Sequence, residues 1–130
     1  LKLENIGRDI SRAYERLKTV TIECRDYQAI VKTYDSPKTL FFFDPPYRNK
    51  ARYRTSRFTD DDYNALADTC KGIKGKFILT INDDDYIRSL FGDMNIQEHD
   101  VRYSVERVTS NVIRPELIIS NYDMPCADSN

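Results

Sequence analysis

Apolar residues recur at steps of three and four from the start of the chain, at Ile6, Ile10, Tyr14 and Leu17. That spacing predicts an amphipathic helix over residues 3–18. Val20 to Cys24 alternates with β-branched residues and predicts a strand. Asp26 is placed to cap a following helix with Tyr27, Ile30, Val31 and Tyr34 on its buried side, and Ser36-Pro37 breaks that helix. The run Thr39–Phe43 predicts a buried strand, and residues 44–58 a loop long enough to carry function. Thr59 with Asp62 three residues on predicts a capped helix bearing Tyr63, Leu66, Ala67 and Cys70 and ending near Gly72 and Gly75. Beyond it the pattern predicts a strand at Lys76–Ile81 and a short helix at Asp84–Phe91. Two further strands follow at Ile96–Tyr103 and Glu116–Tyr122, joined by a polar loop around Thr109–Arg114.

Alternation of strand and helix predicts an α/β domain with a mostly parallel sheet. No helical pattern separates the last two strands, so the final strand is expected to pair antiparallel. Residues 1–123 read as one unit and 124–130 as a tail.

Composition narrows the class. At 130 residues, with 40% apolar and 32% charged residues, the chain has the makeup of a single soluble domain with one core. No apolar run approaches a membrane span and no signal-peptide pattern opens the chain. Cys24, Cys70 and Cys126 are widely spaced and form no Cys-x-x-Cys or Cys/His cluster, so neither a metal site nor a disulfide framework is expected, and a cytoplasmic setting is. The net charge of −1 hides a segregation of charge. Arg48, Lys50, Arg52, Arg54 and Arg57 follow one another without an acid, and Asp60, Asp61 and Asp62 come next. The cations, interleaved with Tyr53, suit contacts to nucleic-acid phosphates; taken alone they equally suit a solvated loop.

The most informative word is Asp44-Pro45-Pro46-Tyr47, directly after the strand ending Leu40-Phe41-Phe42-Phe43. Two prolines stiffen the turn because their φ angles are fixed and they lack a backbone N–H. An acid and an aromatic are thus presented at the carboxyl end of a strand, where open α/β sheets place their ligand crevice.

This word resembles the catalytic motif of amino-methyltransferases, above all the Dam-like, D12-class adenine-specific DNA methyltransferases. The likeness runs from about residue 14 onward. It includes Glu23-Cys24-Arg25-Asp26-Tyr27, the spacing Tyr53-x-x-x-x-Phe58, the strand Gly75-Lys76-Phe77-Ile78-Leu79-Thr80 and the segment Arg114–Tyr122. The resemblance implies a Rossmann-like methyltransferase fold, S-adenosylmethionine as methyl donor and adenine in DNA as acceptor. It implies that Asp44, Pro45, Pro46 and Tyr47 are catalytic and that Asp26 and Tyr27, with Asp44, meet the donor. A helix cap and a core aromatic are the competing roles for Asp26 and Tyr27. It further implies that Arg48, Lys50, Arg52, Tyr53, Arg54 and Arg57 line a flipped nucleotide.

One departure is large. Gly7, Gly72, Gly75 and Gly92 make no aromatic-x-Gly-x-Gly loop, which in the family cradles the methionine end of the donor. The residues therefore resemble the second half of such a catalytic domain, and an exposed sheet edge with self-association is expected. RNA or protein amino-methyltransferases sharing the motif, and a noncatalytic nucleic-acid-binding remnant, are the alternative readings.

Overall fold

The protein is described by a computed structural model covering residues 3–48, 58–102 and 113–124. Four helices, α1 (Leu3–Leu17), α2 (Tyr27–Tyr34), α3 (Asp60–Gly72) and α4 (Asp85–Leu90), accompany four strands, β1 (Leu40–Phe43), β2 (Lys76–Asn82), β3 (Asn95–Arg102) and β4 (Ile113–Ser120). The strands form one sheet in the order β1-β2-β4-β3. β1 and β2 pair in parallel, whereas β4 lies antiparallel to both β2 and β3. Three strands thus point one way and the last opposes them, inserted between β2 and β3 rather than added at the edge.

Local chemistry starts the helices where the side chains can cap them. The Asp26 carboxylate accepts from the Gln28 N–H at 2.8 Å and starts α2. Thr59 and Asp62 form a reciprocal capping box at α3, with three acids in its first turn. Asp84 caps α4 through the Tyr86 N–H at 2.9 Å.

β2 alternates strictly. Phe77, Leu79 and Ile81 are fully buried and join Leu117 and Ile119 of β4, while Tyr63, Leu66, Ala67 and Cys70 of α3, Val31 of α2 and Ile87 of α4 cover them in one cluster. Phe41 and Phe43 pack against the same cluster, their rings stacked with centroids 5.9 Å apart. Ile78, Thr80 and Asn82 face the opposite side and are only half-buried.

The entry into β2 is tightly tied to β1. The Asp35 carboxylate accepts from the N–H groups of Lys74 and Gly75, and Lys76 N–H donates to the Thr39 carbonyl at 2.8 Å. Asn121 bonds the Gly75 carbonyl and the Phe77 N–H, fixing the same corner from the far end of β4.

Three sequence expectations are corrected. Val20–Cys24 forms no strand, and Ile22 is 89% exposed. A ladder needs a neighbour, and no described strand lies beside this segment. The stripe of α1 forms a helix as expected, but Ile10, Tyr14 and Leu17 remain exposed. The phenylalanine strand is buried on one face only: Leu40 is 58% and Phe42 66% exposed, because β1 ends the described sheet and all covering helices lie on the other face.

Candidate active site

Asp44 leaves β1 at its carboxyl end and is exposed to solvent. Thr80 of the neighbouring strand β2 sends its hydroxyl toward both the Phe43 carbonyl, at 3.5 Å, and Asp44 Oδ1, at 3.4 Å. Bonds this long are weak, so Asp44 is steered rather than locked. Tyr27 contacts Phe43 edge-on, with ring centroids 6.4 Å apart, which brings the first residue of α2 beside the residue preceding Asp44. Burial raises the Tyr27 phenol above its ordinary pKa, so it is a neutral aromatic across the physiological range.

Pro46, Tyr47 and Arg48 each have an anchor of their own. Tyr63, buried in α3, donates its hydroxyl to the Pro46 carbonyl at 2.8 Å. Tyr47 donates its phenolic hydroxyl to Glu116 Oε1 on β4. Arg48 binds Asp60 through Nε and Nη2 at 3.0 and 3.1 Å, reaches both oxygens of Asp84 through Nη1 at 3.1 Å, and lies 4.6 Å from the centre of the Tyr86 ring. Its guanidinium ties the amino-terminal ends of α3 and α4 to the end of the turn. The same bonds hold the Asp60 carboxyl below its usual range and push the Arg48 pKa up. A second cation, Arg88 of α4, grips Asp83 and Glu98 and depresses the Asp83 pKa by its hydrogen bonds.

Asn82 and Glu116 are register partners across β2 and β4, so they share this edge of the sheet. Among the described residues the buried Asn82 side-chain oxygen meets no hydrogen-bond donor, while its amide nitrogen meets the Asp83 carbonyl at 3.4 Å.

The structure therefore places Asp44, Pro45, Pro46, Tyr47 and Arg48 in succession after the carboxyl end of β1, with Tyr27 packed against Phe43 just ahead of them. Asp26 is exposed beside Tyr27 and one of its oxygens caps α2, so the capping role expected as an alternative is present. Arg48 is held by two carboxylates, Asp60 and Asp84. Lys50, Arg52, Tyr53, Arg54 and Arg57 lie outside the described residues. Among the described residues no group of three or more His, Cys, Asp or Glu is placed to hold a metal ion, and no helix is long and apolar enough to cross a membrane.

Sequence reasoning did not single out Tyr63, Thr80 or Glu116 as parts of this site. Glu116 did carry a signal, being the one acid ahead of the apolar run Leu117-Ile118-Ile119. Tyr63 carried none, since its position fits an ordinary core residue of α3.

The arrangement is that of an α/β domain with a braced acid-proline-proline-aromatic turn at the carboxyl end of β1. The chain belongs to the D12 class N6 adenine-specific DNA methyltransferase family, which it matches over residues 6–105. It is similar to the Type II methyltransferase M.CviBI of Paramecium bursaria Chlorella virus NC1A, with 27% identity over 114 residues. That similarity covers 84% of this chain and 44% of the viral protein, so the chain spans less than half the length of this relative.

Proposed function

We propose that these residues carry the amine-activating side of an adenine-specific DNA methyltransferase with a Rossmann-like fold. The observation supporting this most directly is the exposed Asp44 at the end of β1, on a turn whose Asp44, Pro46 and Tyr47 are bonded to β2, α3 and β4. S-adenosylmethionine, when bound, supplies an electrophilic methyl group on its sulfonium. The residues present fit its adenine end: the exposed carboxylate of Asp26 is an acceptor for the ring amine, and Tyr27 beside it offers an aromatic surface.

The exocyclic nitrogen of adenine is a poor nucleophile because its lone pair is delocalised into the ring. Asp44 accepts one of its N–H bonds and the Pro45 carbonyl the other, which draws the nitrogen toward tetrahedral geometry. Positive charge grows on this nitrogen as it is methylated, so acceptors already placed beside it stabilise the transition state more than the ground state. Asp44 acts as an acceptor and later receives the proton released by the methylated amine. Tyr47 stacks on the target base, which has to leave the duplex to reach this edge. The rotation costs a few kcal/mol, of which aromatic stacking returns about 1–3 kcal/mol. Lys50, Arg52, Arg54 and Arg57, with Tyr53, suit the phosphates around the extruded nucleotide. β1 ends the described sheet, and Leu40 and Phe42 are exposed on its uncovered face, which supports association there.

The test is methylation of unmethylated DNA by the full gene product, followed by digestion and base analysis. N6-methyladenine is the expected product. Methylated cytosine, methylated RNA or protein in its place would transfer the chain to another amino-methyltransferase reaction, and no methylated product from any of these would leave it a nucleic-acid-binding remnant.

A further inference from the structure

Tyr47 stands on a loop, yet its hydroxyl is tethered to a strand that is paired on both sides. Glu116 belongs to β4, which lies between β2 and β3, and it faces Asn82 on one side and His99 on the other in the ladder. A tyrosine side chain has two torsions: its oxygen lies on the χ2 axis, so anchoring it restricts χ1, and because a phenolic O–H keeps to the ring plane, an acceptor off that axis restricts χ2 as well. The ring plane of Tyr47 is then set by the sheet before any base arrives. We infer that Glu116 is a positioning residue for base capture: it presets the Tyr47 ring so that a base rotated out of DNA meets a fixed aromatic face rather than a mobile one. Sites held on loops gain precision when their side chains are locked by hydrogen bonds from rigid elements, and stacking returns most when no rotamer freedom is lost on binding.

The inference rests on the adenine-methylating reading of the site, and it makes a demand that a simple brace does not. Removing either partner of the bond should cost the same, and removing both should cost no more than removing one. The carboxamide of Glu116→Gln still presents an acceptor oxygen to the phenol, so it should recover most of what Glu116→Ala loses.

The experiment uses the full gene product and unmethylated duplex DNA. kcat and KM are measured for the wild type, Tyr47→Phe, Glu116→Ala, Glu116→Gln and the Tyr47→Phe/Glu116→Ala pair, with thermal midpoints recorded beside them. Tyr47→Phe and Glu116→Ala are each expected to lower kcat/KM about tenfold, the equivalent of one hydrogen bond to a charged group. The double variant should match the singles. Tyr47→Phe and Glu116→Gln are near-isosteric and keep the comparison open even where Glu116→Ala folds poorly. Wild-type kcat/KM in Glu116→Ala, losses that multiply in the double variant, or Glu116→Gln as impaired as Glu116→Ala would each overturn the inference while leaving adenine methylation standing. A wild type that makes no N6-methyladenine would overturn the functional reading and this inference with it.

Discussion

Tyr63 donates its hydroxyl to the main-chain carbonyl of Pro46 at 2.8 Å, from a ring buried between α3 and the sheet. Phe58 packs edge-on against the same ring with centroids 4.7 Å apart, so the donor is held in place. The second proline carbonyl of the turn is thereby committed to the scaffold. The acceptor assigned to the substrate amine is the carbonyl one residue earlier, at Pro45, and its direction depends on how firmly Pro46 is held.

Tyr63→Phe should therefore lower stability by about 1 kcal/mol, the net worth of one hydrogen bond in a folded protein. Urea unfolding measures it. Methyl transfer in the full gene product should fall by more than the folded fraction does, since the turn loses its anchor. A variant with unchanged unfolding and unchanged turnover would show that the prolines alone define the turn.

Gly75 gives a sharper structural expectation. A methyl group there would sit 2.4 Å from the Thr39 carbonyl oxygen and 2.5 Å from that of Ser36, both backbone atoms. Relief requires β1 and β2 to separate where Lys76 bonds Thr39. Gly75→Ala should cost about 2–3 kcal/mol, at the upper end of overpacking effects, and should loosen the strand that carries Asp44. An unfolding midpoint equal to wild type would mean that the corner yields without cost.

Much of this fold was legible because its signals are local. Thr59 with Asp62, and Asp26, cap the helices they were expected to cap, and the strand expected at Lys76–Ile81 is β2. Where the reading failed, the missing information was the identity of a neighbour. Val20–Cys24 has strand-like residues but no described strand to pair with, and Leu40 and Phe42 have nothing described over them. The site divides in the same way. Asp44 to Tyr47 is contiguous and so could be read, whereas its anchors Tyr63 and Glu116 stand 17 and 69 residues from Pro46 and Tyr47. Only folding brings them together.

Acid stability follows from the carboxylates gripped by cations. Asp60 lies below its ordinary value of 3.8 because Arg48 donates to it, and Asp83 is lowered in the same way by Arg88. A folded pKa below the unfolded one contributes stability that is present above the unfolded value and lost as pH falls through the folded one. The protein should therefore weaken from about pH 4 downward. Asp60 is largely exposed, so solvent screening keeps its share small. Asp60→Asn should make the acid limb of the stability curve shallower while leaving its shape near neutrality intact. Superimposable curves below pH 4 would remove the Arg48 pair from the account.

Asp44 carries the chemical prediction. Asp44→Ala in the full gene product should reduce methyl transfer about 100- to 1000-fold, the usual cost of losing one fixed acceptor or donor at the reacting group. The side chain is exposed and, among the described residues, makes one long bond, to Thr80, so the fold should survive. Circular dichroism and thermal unfolding check the fold, and methylation of adenine checks the rate. Turnover within a few-fold of wild type would take Asp44 out of the mechanism.

Arg48 and the cations after it should separate in their response to salt. Each phosphate neutralised by a protein cation steepens the dependence of log binding constant on log salt by about 0.9 for duplex DNA. The Arg48 guanidinium already meets two carboxylates and an aromatic face, so its charge is offset before DNA arrives. Arg48→Ala should therefore leave the salt slope unchanged, lower thermal stability, and weaken transfer by releasing the turn from α3 and α4. Replacing Arg52 and Arg54 together by Ala should instead flatten the slope by about two units at every DNA sequence tried. Fluorescence anisotropy of labelled duplexes across a salt series distinguishes the two. If Arg48→Ala flattens the slope by about one unit, the arginine leaves Asp60 or Asp84 for a phosphate when DNA binds. The ion pair would then be a resting state of a DNA contact and not a fixed strap.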